Sequence, residues 1–249
     1  MQRKLLLCKA LALIAAGLIV SSVPAVQAVT IDAFTDLFPQ NPDITTPGYN
    51  FIFVGSMCDG GACPPGVMVN HLVNDVAYQT GLAGVLGGER RAEITYVVGT
   101  ANADIFNGFM AHNHNAGAKS ILELKYGMTV DLNANLTLFE GTRLEINVVD
   151  GDMFAGPRPV PCTITVTSRR GTPAQATASK TLSLVNPGVY AYPFTAFPGV
   201  DFTDVDMITV RFDSSAYTSV DYAIGPFRTD GETVPVESAT WGKIKSMWK

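Results

Sequence analysis

DFTDVDMITVRFDSSAYTSVDYAIGPFRT, residues 201–229, is the stretch whose reading decides the fold. Ile208, Val210 and Phe212 alternate with Thr209 and Arg211, and Val220, Tyr222 and Ile224 alternate with Asp221 and Ala223. A period of two puts one set of side chains on a buried face and the other toward water, so both segments read as strands. The polar residues 213–219 between them read as a hairpin loop, which predicts that the two strands pair with each other. A lone hairpin is not stable in water, so the rest of the chain must supply more sheet.

It does. Segments rich in Val, Ile, Thr, Phe and Tyr recur upstream between Gly, Pro, Asn and Asp clusters. Strands are predicted over 31–34, 49–54, 92–98, 105–111, 120–126, 135–139, 143–149, 162–167, 180–185 and 189–194, with a Pro-rich loop at 156–161. Residues 67–78 fit either a strand or a short helix, because Val69, Leu72, Val73 and Val76 suit both periods. The small residues of 172–179 read as a mobile connection. Leu122, Leu124 and Tyr126 alternate with Glu123 and Lys125; Leu144, Ile146 and Val148 alternate with Glu145 and Asn147. Such half-buried strands belong to an all-β, antiparallel sandwich or barrel.

The two ends read differently. Arg3 and Lys4 precede an apolar run, 5–20, broken only by Lys9, and Val26-Gln27-Ala28 is a small-residue cleavage pattern. The run is short for a transmembrane helix, so the expectation is a signal peptide cut between Ala28 and Val29. The predicted layout is signal peptide 1–28, β-sandwich 29–233, and linker with tail 234–249. Removing 1–28 leaves 221 residues and takes the formal net charge from −5 to −8. That charge offers no footprint for nucleic acid. No later apolar run is long enough to span a bilayer. In the tail, Trp241, Ile244 and Trp248 share one face at helical spacing among Lys243, Lys245 and Lys249, which predicts a short amphipathic helix capped by Ser238. Its apolar face could meet the sandwich, a sorting or secretion receptor, or an anionic membrane surface.

Cys8 leaves with the signal. In an oxidising compartment Cys58 and Cys63 read as a small disulfide loop, and Cys162 shares strand parity with Ile164 and Val166, as a buried thiol would.

Leu86-Gly87-Gly88-Glu89-Arg90, then Tyr192-Pro193-Phe194 with Phe197, Val205-Asp206-Met207-Ile208 and Val220-Asp221-Tyr222 run through most of the chain. Together they resemble the exported bacterial proteins of the PEP-CTERM type. The resemblance implies a jelly-roll-like β domain and export, and no activity. The chain lacks the hydrophobic C-terminal anchor of those proteins: Val234-Pro235-Val236-Glu237 leads into a short amphipathic segment instead.

Few constellations carry chemistry. His112 and His114, two apart on a strand, could join His71 around a metal, or simply end a polar strand. Asp201, Asp204, Asp206, Asp213 and Asp221 could hold Ca²⁺ in jelly-roll loops, or serve turns. Glu89 and Arg90 read as an ion pair that fixes the glycine loop. Tyr190, Tyr192 and Tyr217 are candidate sugar-stacking faces, or core and rim residues. No nucleophile elbow, zincin helix, phosphate loop or dinucleotide fingerprint is present. The expectation is therefore an exported, non-enzymatic β-sandwich, without a required cofactor, in a structural or adhesive role at the bacterial cell surface. A carbohydrate-binding module, calcium-assisted or not, with cell-surface polysaccharide as partner, is the alternative; an unrecognised hydrolase comes third.

Overall fold

The structure is a computed structural model and describes residues 28–44, 48, 50–58, 68–152 and 158–230. Most of the expected signal peptide, Cys63 with the Cys58–Cys63 pairing, and the tail with Trp241, Ile244 and Trp248 lie outside the described residues.

In chain order the strands are β1 (Thr30–Asp32), β2 (Phe51–Cys58), β3 (Met68–His71), β4 (Asp75–Thr80), β5 (Glu89–Val98), β6 (Ala101–Phe106), β7 (Phe109–His114) and β8 (Lys119–Tyr126). Then follow β9 (Arg143–Gly151), β10 (Val160–Ser168), β11 (Ala176–Leu184), β12 (Gly188–Pro193), β13 (Val205–Asp213), β14 (Tyr222–Ile224) and β15 (Phe227–Thr229). A six-stranded sheet runs β11-β10-β13-β8-β5-β4. A nine-stranded sheet is built around β9, which pairs with β12 along one edge and with β14 and β15 end to end along the other. From β14 that sheet continues through β7, β6 and β2 to β3, and from β15 to β1. All pairings are antiparallel. From β8 to β14 the chain steps repeatedly between the two sheets, and the result is an all-β, jelly-roll-like sandwich.

The expected hairpin of residues 201–229 does not form. β13 lies between β10 and β8 in one sheet, and β14 lies between β7 and β9 in the other. Residues 214–221 carry the chain across the sandwich. The alternation holds in β13, where Ile208, Val210 and Phe212 are buried; in β14 Ala223, expected toward water, is buried together with Tyr222 and Ile224. Phe212 and Tyr222 meet across the core with ring centroids 5.5 Å apart. Period-two patterning states which face is buried but not which sheet buries it. The crossing segment holds no two-residue Gly turn that would fold one strand onto the next. Instead it is tied to the start of β8: Ser214 N–H donates to the Ser120 carbonyl at 3.2 Å, and Ser219 N–H to the Ala118 carbonyl at 3.0 Å.

Other expectations change in detail. Residues 105–111 are not one strand but the turn of the β6–β7 hairpin. Asn107 and Gly108, at φ 47° and 81°, make the Asn-Gly turn that matches strand twist. Met68–His71 and Asp75–Thr80 are strands, not a helix. Residues 135–139 are not a strand; a short 3-10 turn spans Leu138–Glu140. Residues 176–179 of the expected mobile loop belong to β11, which pairs with β10 over nine residue pairs. Small side chains suit this strand because hydroxyls meet across it: Thr163 with Thr181 at 2.7 Å, Thr165 with Ser179 at 2.8 Å, and Thr167 with Thr177 at 2.9 Å.

The main core lies between the sheets, around Ile164, Val166, Ile208, Val210, Leu122, Leu124, Ile146 and Val148. A second, small cluster of Ile44, Phe51 and Phe53 lies on the other side of β2. Ile52 and Val54 of that strand face the main core. Leu37, Gly48 and Asn50, in the chain that leads into β2, form one wall of the site described next.

Candidate ligand pocket

Glu89 and Arg90 do not pair with each other. Successive residues of a strand point to opposite faces, and β5 sends them apart. Arg90 Nη1 donates to both carboxylate oxygens of Asp32, at 3.1 and 2.9 Å, with both side chains fully excluded from solvent. Its Nη2 donates to the Asp36 carbonyl at 2.6 Å and to Gln79 Oε1 at 2.7 Å. The Tyr126 hydroxyl donates to Asp32 at 3.1 Å. Each Arg90 side-chain nitrogen therefore has an acceptor, as a buried charge requires. Glu89 instead accepts the Thr129 N–H and the Tyr78 hydroxyl, each at 2.8 Å, together with the Thr129 hydroxyl. Burial pushes its carboxyl up, but these hydrogen bonds outweigh burial and hold it below its ordinary value.

The Arg90 contact has a structural consequence downstream of Asp36. It fixes Asp36, and Gln79 and Asn50 hold the two residues that follow. Gln79 Nε2 donates to the Leu37 carbonyl at 2.6 Å, and Asn50 Nδ2 to the Phe38 carbonyl at 2.8 Å. Asn41 Nδ2 bridges to the Phe51 carbonyl at 3.1 Å and Asp75 at 3.2 Å.

Between these residues and β6 lies a pocket of about 380 Å³, lined by Leu37, Gly48, Asn50, Phe51, Asp104, Ile105 and Phe106. That is the size range of small-molecule sites. Ala103 and Ile105 of β6 pack into the main core, so Asp104 between them faces the other way. Asp104 is 2% exposed, and neither carboxylate oxygen has a hydrogen-bond partner among the described residues. Burial alone pushes its carboxyl up to about 7. Its register neighbours are Phe51 and Ala111. A buried carboxyl without a partner is costly, and buried polar groups in folded proteins are nearly always satisfied. Sequence reading passed over Asp104. An Asp in the register of an alternating strand, Ala101-Asn102-Ala103-Asp104-Ile105, looks like an ordinary solvent-facing residue. Only its neighbours in the fold make it a buried one.

The other expected constellations do not assemble. His71 pairs with Asp43 at 2.9 Å, on β3 at the edge of the sheet. His112 and His114 are buried instead, in a chain of hydrogen bonds. His112 Nδ1 meets the Tyr222 hydroxyl at 2.8 Å, His112 Nε2 meets the Ser120 hydroxyl at 2.8 Å, and that hydroxyl meets His114 Nε2 at 2.9 Å. Burial pushes both imidazoles down, His114 to about 4, and the neighbouring His114 adds to the effect on His112. They are neutral near pH 7, and the ring nitrogens exchange donor and acceptor roles with the hydroxyls. The aspartates are taken up by basic and backbone partners, Asp204 sharing Arg169 with Asp201 at 4.0 Å. Asp201 pairs with Arg169 and accepts the Thr203 hydroxyl, Asp206 accepts the Arg170 N–H, Asp213 pairs with Arg211 at 3.0 Å, and Asp221 accepts the His114 N–H at 2.6 Å. Among the described residues no three His, Cys, Asp or Glu side chains are grouped to hold a metal ion. Of the tyrosines, Tyr192 is buried with its hydroxyl on the Cys162 carbonyl at 3.0 Å, and the Tyr190 hydroxyl is used by the turn at Val185 and Asn186. Cys162 is a buried free thiol, as the strand parity implied.

No family model matches the chain. No curated protein matches it either. Among solved structures it is similar to a family 11 carbohydrate-binding module from Clostridium thermocellum in complex with a β-1,3-1,4-mixed-linked tetrasaccharide. That match has 12% identity and a TM-score of 0.32, and covers 72% of this chain and 96% of that one. A structure described as a CBM4 matches at 9% identity and a TM-score of 0.29, over 64% of this chain and 87% of that one. An exo-β-agarase matches at 9% identity and a TM-score of 0.33, over 80% of this chain and 25% of that one. Likeness at this level assigns no ligand. Among the described residues no helix is long and apolar enough to cross a membrane.

Proposed function

We propose that this chain is an exported, non-enzymatic β-sandwich protein that acts by binding a saccharide in the pocket over Asp104. One observation carries the reading: the Asp104 carboxyl is buried, neither of its oxygens has a hydrogen-bond partner among the described residues, and Asp104 lines a pocket of about 380 Å³. A ligand rich in hydroxyl donors satisfies them, while Phe51 and Phe106 offer ring surface to the C–H groups of a sugar. Asp104 is the one carboxylate among the described lining residues, whereas glycoside hydrolysis commonly uses two across the scissile bond. Export rests on the N-terminal sequence.

A glycan array probed with the full chain, with and without chelator, and with an Asp104→Ala variant, tests the reading. Chelator-resistant binding that the variant loses supports it. An empty array, or binding that Asp104→Ala leaves untouched, removes it.

A second reading, a structural role through self-assembly, draws on β11. This nine-residue strand ends the six-stranded sheet, has no proline or bulge, and carries one charge, Lys180. Such an edge is a template for strand addition. Sedimentation showing concentration-dependent assembly, abolished by a proline in β11, distinguishes it.

A further inference from the structure

We infer that the pocket over Asp104 takes an amine-bearing sugar unit, whose ammonium group is set against the Asp104 carboxylate; the inference rests on the saccharide reading above. The lining is one-sided in its chemistry. Among the described residues Leu37, Phe51 and Phe106 give apolar walls, Asn50 gives an amide, and Asp104 gives the single charge. No Lys, Arg or His side chain lines the pocket among the described residues. On the Asp104 face of the sheet, Asn102 and Phe106 flank it on its own strand and Phe51 and Ala111 stand across from it. None of the four titrates. Hydroxyl donors alone would satisfy the oxygens but leave a buried charge, which is the expensive state. An ammonium group supplies donors and the opposite charge together, the stronger arrangement.

The empty pocket avoids that charge by holding a proton: burial raises the Asp104 carboxyl to about 7. When an ammonium group arrives, the carboxyl gives its proton to water and the pair that remains is ammonium with carboxylate. The occupant is ring-sized rather than a lysine arm, because a slender chain would leave most of about 380 Å³ empty. Phe51 and Phe106 can also take part of the positive charge on their ring faces. The chain's formal net charge of −5 favours approach of a cationic polymer.

The test is calorimetric titration of the full chain at neutral pH with a glucosamine tetrasaccharide, its fully N-acetylated counterpart, and a lysine tetrapeptide. The expected result is binding of the glucosamine oligomer roughly tenfold tighter than either of the others. Asp104→Asn should remove that preference. In the unmutated chain, an NMR titration of the Asp104 carboxyl should show it moving down when the glucosamine oligomer is added. This second readout stands even if the variant folds poorly. Equal affinity for the two sugars, or a preference that survives Asp104→Asn, overturns the amine assignment and leaves the saccharide reading intact. Binding of the lysine peptide as tight as that of the amino sugar overturns the assignment to a sugar. Failure of every glycan to bind removes both readings.

Discussion

Arg90 and Asp32 meet at 2.9 Å, 58 residues apart in sequence, with neither side chain exposed to solvent. Glycines make the approach. Gly87 and Gly88, both at φ 72°, turn the chain so that β5 begins with Glu89 outward and Arg90 inward. The guanidinium then joins β1, through Asp32, to the segment that walls the pocket, through the Asp36 carbonyl.

Removing Arg90 should therefore cost more than its packing. Arg90→Met leaves Asp32 buried and unpaired, and a lone buried charge costs about 3–5 kcal/mol. Urea unfolding should show a loss of that order. The double variant Arg90→Met, Asp32→Leu should recover part of it, because no charge is then stranded. A recovery of nothing would show that the lost contacts to Asp36 and Gln79 carry the effect.

Cys162 should be inert. It has no exposed surface, and burial pushes its thiol up to about 12, which leaves almost no thiolate at neutral pH. A thiol reagent should label it only after unfolding. Peptide mapping of the same sample without reduction checks the proposed Cys58–Cys63 disulfide; Cys162 found bridged to either would refute both assignments.

Gly55 should not tolerate a side chain. It sits at φ 97° in β2, and a Cβ there would lie 2.2 Å from the Gly99 carbonyl oxygen. Gly55→Ala combines backbone strain with a clash against main chain that cannot rotate away. A loss of more than about 2 kcal/mol in thermal or urea unfolding is expected.

The fold class and most strands were legible in the sequence because each strand is half buried, and half burial writes itself as alternation. Ile208, Val210 and Phe212 were placed inward by pattern alone, and they are inward. Partnership was not legible. The same alternation suits strands of one hairpin and strands facing each other across a core, and Phe212 against Tyr222 is the second case. The Asn107-Gly108 turn was readable and was passed over for the apolar run around it. The pocket was the least legible feature. Asp104 becomes unusual only when residues more than fifty positions earlier cover it, and no local spacing records that. The reverse held for His112, His114 and the aspartates: sequence suggested a ligand set, and long-range hydrogen bonds had already used them.

Two buried groups should make acid stability depend on pH with opposite signs. Asp104 titrates at about 7 when folded against an ordinary 3.8, so its contribution to stability is full below pH 3.8 and is lost as pH rises through 7. His114 titrates at about 4 against an ordinary 6.5, so its contribution is full above pH 6.5 and is lost as pH falls through 4. His112, pushed down by burial and by His114, acts in the same direction as His114. Each group contributes a slope of about 1.4 kcal/mol per pH unit where its two states differ. Between about pH 4 and 6.5 the Asp104 slope offsets one histidine. Carboxyls such as Glu89 and Asp213, where burial is outweighed by hydrogen bonds, act below their ordinary values of 4.5 and 3.8, at the acid edge of this window or beneath it. Asp104→Asn should then do two things. It should stabilise the protein above pH 7, by an amount on the order of 3–4 kcal/mol before relaxation of the pocket. It should also steepen the loss between pH 6.5 and 4, because the histidines lose their counterweight. Urea unfolding from pH 4 to 8 reads both effects in one series. A variant no more stable than the parent at pH 8 would mean that the Asp104 carboxyl is already satisfied in solution, and the case for an open, ligand-seeking group would go with it.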